Sequence, residues 1–333
     1  MILSPSSIVA IATDIAAPRA CADECQGGAG SIVSVPEHPP TLIPTLGIDT
    51  RDWVYGDPAG TPIVLVHGFR GDHHGLQGIA QALAQADPTL AIHVPDLPGF
   101  GKTPAIPGRA HELSTFGEWL TAFTEAVAPN GGMILGHSFG SLVVSSALSQ
   151  GARSTRTILI NPISAPALEG PQAFLTQLAI LYYRAADALP ERAAKSLLGS
   201  KLIVRGMSEV MAKTRDRELR AWIHNQHHQY FSEFADSKSL LDAFKASVSH
   251  TVAEHAAAYD MPTLLIAGER DDITPLAKQL DLQRLLSDAE LVILPGTGHL
   301  VHYEAVADAV ARIAQFVRPE THAPNAAAQE RSA

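Results

Sequence analysis

A serine that attacks an acyl carbonyl needs a base to take its proton, a group that fixes the base, and donors for the oxyanion that forms. The chain of 333 residues offers a residue type for each task. Gly136-His137-Ser138-Phe139-Gly140 is a G-x-S-x-G pentapeptide, preceded by the apolar run Met133–Leu135 and followed by the helix-like run Ser141–Leu148. The chemistry needs that spacing. A serine on a sharp strand-to-helix turn projects its hydroxyl above a sheet, and small flanking residues keep the turn free of clashes. The following N–H, that of Phe139, and the helix N-terminus then face a developing negative charge. Taken alone the pentapeptide is also a glycine-rich turn, so its meaning depends on what accompanies it.

Three further stretches accompany it. His67-Gly68-Phe69-Arg70-Gly71 follows the run Pro62–Val66 and can present the Phe69 N–H to the same oxyanion. Gly268-Glu269-Arg270-Asp271-Asp272 follows Thr263–Ala267 and supplies a carboxylate that can accept from a histidine Nδ1–H. Asp271 is the preferred acid, three residues past Gly268 and four before Pro275, and Asp272 is its competitor. Pro295-Gly296-Thr297-Gly298-His299 follows Leu291–Leu294, where a histidine is poorly placed as a core filler and well placed to reach Ser138. His299 is the expected base. His67, Gly68, Arg70 and His137 are expected to line the substrate pocket beside these groups.

The elements that must position these residues are strands that each end in one of the motifs. The apolar runs Pro62–Val66, Leu90–Val94, Met133–Gly136, Thr157–Ile160, Thr263–Ala267 and Leu291–Leu294 are nearly continuous, the pattern of strands buried on both faces. Helical periodicity separates them at Gly75–Ala86, Leu113–Ala128, Leu142–Gln150, Pro275–Leu286 and Tyr303–Phe316. The alternation predicts an α/β fold, a mostly parallel central sheet flanked by helices, with Thr50–Gly56 as an antiparallel edge strand. Active sites of such sheets form at the carboxyl ends of the strands, which is where all four motifs fall. Residues 167–255 break the alternation with helical spacing only and are too long for a loop. They are expected to be a helical cap inserted into a core of residues 46–166 and 256–318. Residues 1–45, rich in Pro, Gly and Ser, are expected to be a disordered extension, and residues 319–333 a disordered tail.

With HGF at 67–69, DLPGFG at 96–101, GHSFG at 136–140, GERDDITP at 268–275 and GTGHL at 296–300, the chain resembles the α/β-hydrolase superfamily, in its serine-hydrolase branch with a helical cap. The resemblance covers about Gly56 to Val317. It implies Ser138 as nucleophile, His299 as base, Asp271 as acid, and the Phe69 and Phe139 N–H groups as oxyanion hole. It implies no metal or organic cofactor. The reaction it implies is hydrolysis of a carboxylic ester through an acyl-enzyme on Ser138. C–C bond hydrolysis, acyl transfer with the same triad, and a catalytically silent binding protein are the alternatives. The C–C branch resembles G-N-S-x-G, where this chain has His137. Dehalogenase and epoxide-hydrolase chemistry need a carboxylate at position 138.

Other signals are read as ordinary. The chain carries 24 Lys and Arg against 34 Asp and Glu, a net charge of −10, which gives no general attraction to nucleic acid or anionic membranes. Between Arg184 and Arg220, however, nine Lys and Arg stand against five Asp and Glu. That stretch reads as a solvated helix face, or as a basic lid that steers an anionic substrate. Among 15 histidines, His224 and His228 stand at i, i+4, but no carboxylate lies between them, so the pair reads as a polar helix face rather than a zinc site. His73 and His74 follow the Phe69 loop and could border the cleft. Cys21 and Cys25 lack nearby ligands for zinc. No apolar run is long enough to cross a membrane, and no basic segment opens a secretory signal. The expected partner is a small-molecule acyl substrate, and the expected location is the cytoplasm.

Overall fold

The computed structural model describes residues 39–166 and 173–318. Eight strands form one sheet: β1 (Thr41–Thr45), β2 (Ile48–Gly56), β3 (Thr61–Val66), β4 (Leu90–Pro95), β5 (Gly132–His137), β6 (Ser154–Ile160), β7 (Thr263–Gly268) and β8 (Ala289–Leu294). Their spatial order is β1-β2-β4-β3-β5-β6-β7-β8. Strands β3 to β8 run parallel, and β1 and β2 are antiparallel at one edge. The helices are α1 (His74–Ala86), α2 (Leu113–Val127), α3 (Phe139–Ser149), α4 (Ala173–Asp187), α5 (Glu191–Leu198), α6 (Lys201–Met211), α7 (Arg217–Tyr230), α8 (Ser237–Ser249), α9 (Leu276–Leu285), α10 (Val301–Glu304) and α11 (Val306–Val317).

The continuous apolar runs have a direct structural cause. Successive side chains of a strand point to opposite faces, and both faces of the central strands are covered; the edge strand β8, expected to be buried on both faces, is only partly so, with Ile293 exposed. Ile63, Leu65, Met133, Leu135, Ile158, Ile160, Leu264 and Ile266 join the core beneath α1 and α11. Val64, Val66, Ile134, Leu159 and Leu265 join the other core, with α2, α3 and α9. A polar side chain there needs a hydrogen-bond partner inside the core, as Thr263 has in Met261 O at 3.1 Å. The chain leaves β3 through α1 to β4 on one side and crosses back through α2 to β5 on the other. The strand order therefore reverses between β3 and β5, the crevice where open α/β sheets bind ligands. His67-Gly68-Phe69 and Ser138 sit on the two sides of that crevice.

Two boundaries differ from the sequence reading. The expected extension at residues 1–45 is too long: Thr41–Thr45 pair with β2 through registers such as Thr41 with Asp52. The mostly exposed β1 has only Leu42 and Ile43 before Pro44, too short an apolar stretch to resemble the central strands. The expected helix Tyr303–Phe316 is two helices, because Ala305 leaves the helical region at φ −143°. The rest of the expected extension, residues 1–38, and the expected tail, residues 319–333, lie outside the described residues.

Between β6 and β7 the described residues form α4 to α8, followed by a 3-10 turn at Val252–Ala258. This helical insertion shares a core with the sheet. Tyr183, Leu198, Phe234, Leu240, Leu241 and Phe244 are buried in the same cluster as Val64, Ile134 and Phe139. Part of its expected positive charge is neutralised in place, since Arg205 and Arg220 both pair with Glu209.

Candidate active site

Ser138 occupies the turn between β5 and α3 at φ 52° and ψ −117°. A non-glycine residue held at positive φ costs about 1–3 kcal/mol, and the surroundings leave little alternative. A Cβ on Gly136 would lie 2.6 Å from the Gly140 carbonyl oxygen, and one on Gly140 would lie 2.8 Å from the His67 carbonyl oxygen. The turn is closed by Ser138 N–H donating to Ile160 O at 3.0 Å and by Ser141 N–H donating to Ser138 O at 2.9 Å. Ser141 Oγ also donates to Ser138 O at 2.5 Å and accepts from Ile163 N at 3.1 Å, so this residue braces the turn as well as fitting it.

His299 Nε2 lies 2.8 Å from Ser138 Oγ, and His299 Nδ1 lies 2.8 Å from Asp271 Oδ2. With Asp271 ionised, Nδ1 carries the proton and Nε2 is the acceptor for the serine hydroxyl. The exposed area of the His299 side chain is 7%, and that of Asp271 is 1%. Asp271 Oδ1 accepts from Ile273 N at 2.8 Å and Thr274 N at 3.0 Å, and Oδ2 accepts from Thr274 Oγ1 at 2.5 Å. Burial acts to raise the Asp271 pKa, but the charge of a protonated His299 and the hydrogen bonds from His299 and Thr274 outweigh it, holding the carboxyl below the usual range. Asp272, the competitor, faces away: its Oδ2 is 2.5 Å from Lys213 Nζ, between α6 and α7.

The loop after β3 packs on the serine turn. A Cβ on Gly68 would lie 3.4 Å from Ser138 Cβ and 3.1 Å from His137 Nδ1. Phe69 follows directly, and Phe139 opens α3. Of the four residues expected to line a pocket, Gly68 alone lies against Ser138 with room to spare for little else. The other three side chains are committed to the framework. His67 Nδ1–H donates to Gly68 O at 2.9 Å, and its Nε2 accepts from Leu97 N at 2.9 Å. Burial lowers the pKa of His67, against the pull of Asp96. Arg70, at φ 63°, is turned into the helical insertion: Nε donates to Phe231 O at 3.1 Å, and the two terminal nitrogens to Tyr183 Oη at 3.0 Å and Leu198 O at 2.7 Å. His137 is buried beside His302, ring centroids 4.1 Å apart, and its pKa is pushed down to about 3 by burial and the neighbouring His299.

Sequence reasoning overlooked two residues that hold the His299 loop. Asn161, just past β6 at φ 45°, donates from Nδ2 to Gly298 O at 3.1 Å and accepts at Oδ1 from Gly268 N at 2.9 Å. It thereby links the ends of β7 and β8. Glu304 accepts from Gly298 N at 3.0 Å. A polar residue ending a buried strand, and an acid five residues past the histidine, were the available signals. His137 Nε2 adds a contact to His299 O at 3.2 Å.

Phe69 is the hub of an aromatic wall facing the insertion. Its ring lies 6.2 Å from Phe139, 6.0 Å from Tyr183 of α4 and 6.0 Å from Phe244 of α8, and the last two stack at 3.8 Å. Near the cleft, His73 and His74 differ from expectation. His73 is fully buried, bonded through Nδ1 to Asp96 at 2.8 Å and stacked on Trp53. His74 stacks on Tyr230 of α7. Asp72, His73 and His74 are the group among the described residues whose ligand atoms are close enough to hold a metal ion. Their carboxylate already serves its neighbours, since Asp72 Oδ1 accepts from His74 N at 3.0 Å. His224 pairs with His227 instead of His228: both Nδ1 atoms meet the buried Ser208 Oγ, at 2.6 Å and 2.7 Å.

Strand order, the serine turn and the converging loops define a hydrolase of the α/β class. The chain belongs to the alpha/beta hydrolase family, whose pattern matches residues 63–313. It is 27% identical over 265 residues to the dihydrolipoyllysine-residue acetyltransferase component of an acetoin cleaving system from Pseudomonas putida, covering 79% of this chain. The chain spans 65% of that relative's length. It is also 27% identical over 255 residues to a pimeloyl-(acyl-carrier protein) methyl ester esterase from Aeromonas salmonicida, covering 72% of this chain and 89% of the esterase. An esterase from Exiguobacterium antarcticum shares the fold, with a TM-score of 0.68 at 16% identity over 84% of this chain and 100% of the other. Among the described residues no helix is long and apolar enough to cross a membrane.

Proposed function

We propose that the chain hydrolyses a carboxylic ester of a small molecule through an acyl-enzyme on Ser138. The observation that carries this reading is the unbroken line from Ser138 Oγ through both nitrogens of His299 to Asp271, with 2.8 Å at each link. His299 Nε2 takes the hydroxyl proton as Oγ bonds to the acyl carbon. The carbonyl oxygen becomes an oxyanion, held by the Phe69 and Phe139 N–H groups. The Nε2–H then goes to the departing alkoxide, the C–O bond breaks, and the alcohol leaves. Water, deprotonated in turn by His299, attacks the acyl-enzyme, releasing the acid and restoring Ser138. Asp271 stays ionised throughout and stabilises the imidazolium.

The aromatic wall of Phe69, Tyr183 and Phe244 favours an apolar acyl group. The relative from Aeromonas salmonicida, named as a methyl ester esterase, supports the ester class. We further place the enzyme in the cytoplasm, which cell fractionation tests. A fluorophosphonate probe and a panel of p-nitrophenyl esters of rising chain length test the chemistry. Ser138→Ala should abolish labelling and lower kcat by about 10⁴–10⁶-fold. Turnover that survives this substitution would refute the reading.

A further inference from the structure

The Glu304 carboxylate stands between two parts of the molecule that are far apart in sequence. Its Oε1 accepts from two successive backbone N–H groups, Lys213 at 2.6 Å and Thr214 at 2.9 Å, in the loop joining α6 and α7. Its Oε2 accepts from Gly298 N at 3.0 Å, the residue before His299. Glu304 is itself fixed at the end of α10, where its N–H donates to Leu300 O at 2.7 Å. Hydrogen bonds to an ionised carboxylate are roughly twice as strong as neutral ones.

The surroundings strengthen both ends of this bridge. On the cap side, Arg220 donates to Ala212 O at 2.9 Å, fixing the loop to α7. Lys213 Nζ reaches Asp272, next to Asp271. Ala212 and Ile223 pack with Leu300 and Tyr303 in a small apolar cluster beneath the loop. On the core side, a Cβ on Gly298 would lie 3.2 Å from Lys213 Cβ, so the loop rests on the His299 peptide with no room for a side chain. The Gly298 carbonyl is held by Asn161. Gly298, the residue before His299, is thus held at its carbonyl by Asn161 of the core and at its N–H by Glu304.

We propose that Glu304 is a positioning residue whose single carboxylate couples the seating of the Lys213–Thr214 loop of the cap to the orientation of His299. The argument rests on the reading of His299 as the base of Ser138. When the loop is seated, three N–H groups share the carboxylate. When it lifts, two of the three donors leave together, and the half-buried carboxylate turns toward water for replacements. That turn takes Oε2 off Gly298 and leaves the backbone ahead of the imidazole held by Asn161 alone on that side. Cap closure and assembly of the proton-transfer line are therefore one event, and the base is aimed only beneath a closed cap.

The test compares wild type with Glu304→Gln, Glu304→Ala and Thr214→Pro. In either orientation Gln presents an amide NH₂ to one of the two sets of donors, so one end of the bridge is lost. Thr214→Pro removes a donor on the cap side and leaves Gly298 untouched. Three quantities are measured: kcat and KM on p-nitrophenyl acetate, the urea midpoint, and backbone hydrogen exchange in segments 212–216 and 296–300. Expected for Glu304→Gln is a fall in kcat of about 10²-fold, the scale of an ångström of misplacement, with KM within about threefold. Exchange should quicken in both segments, and Thr214→Pro should quicken segment 296–300 as well. A merely structural role would shift the urea midpoint without this kcat-specific loss. An unchanged kcat in Glu304→Gln, or a segment 296–300 unmoved by Thr214→Pro, would overturn the proposal. Should Glu304→Ala fail to fold, the other two variants decide. Should wild type resist the fluorophosphonate while both segments still quicken together, the serine-hydrolase reading fails and the coupling stands.

Discussion

Acid should unfold this protein through buried histidines before its carboxylates begin to titrate. His227 and His137 each have a pKa pushed down to about 3, burial being the largest cause in both. His302, fully buried beside His137, is lowered in the same way. In the unfolded chain each takes up a proton near pH 6.5. Between that pH and about 3 the unfolded state binds more protons than the folded one, so stability falls as pH falls through this window and is fully present above it. At pH 5 the deficit is 1.5 pH units per histidine, worth about 2 kcal/mol each, or about 4 kcal/mol for His137 and His227 together. Carboxylates, with ordinary values near 4, add little between pH 7.5 and 5. Against a typical total of about 5–15 kcal/mol, the loss is large. Urea unfolding at pH 7.5 and 5.0 measures it. The informative variant is His227→Asn, which keeps a hydrogen-bonding group near Ser208 Oγ and removes the titration. It should shrink the difference between the two pH values by about 2 kcal/mol, whatever it does to stability at pH 7.5. A difference equal to that of wild type would refute the assignment of His227 as a buried neutral imidazole.

Three further substitutions probe the site and the helical insertion. Asp271→Asn should lower kcat by about 10⁴-fold, as loss of the orienting acid does in other triads, whereas Asp272→Asn should cost less than about tenfold, since Asp272 faces Lys213; steady-state kinetics on one ester rank them, and the reverse order would move the acid to Asp272. Arg70→Met should destabilise the fold by about 3 kcal/mol, because it leaves Phe231 O, Tyr183 Oη and Leu198 O without their donor. A urea midpoint unchanged from wild type would mean that water replaces the guanidinium at all three acceptors.

How much of this was legible in the sequence follows from what each kind of signal reports. Apolar periodicity reports burial, so the central parallel strands, covered on both faces, could be read before the structure was known, and the edge strand β8 through its apolar residues Leu291–Leu294 although it is only partly buried. So could the glycine-bounded turn, because Gly136 and Gly140 are there to admit backbone within 3 Å of where a side chain would stand. Strand β1 could not, since a mostly exposed edge strand has too short an apolar stretch to show. Periodicity is also silent on partners. Asp271 and Asp272 differ by one place in the chain, yet one meets an imidazole and the other an ammonium 2.5 Å away. Arg70 reads as a charge at the mouth of a cleft, and only the packing of α4, α5 and α7 supplies the three acceptors that bury it. Asn161 and Glu304 look like ordinary polar residues at the ends of a strand and a short helix. Their importance exists only once β7, β8 and the loop between α6 and α7 meet, because each spends its polar atoms on backbone groups whose identity leaves no mark in sequence. The residues proposed to do chemistry were therefore visible by type and spacing, while those that hold them bond to backbone, and backbone partners are chosen by topology. This is why the half of the site that leaves no mark in sequence is its support, and why Glu304 and Asn161, more than Ser138, are where substitution would reveal what the fold contributes to the proposed reaction.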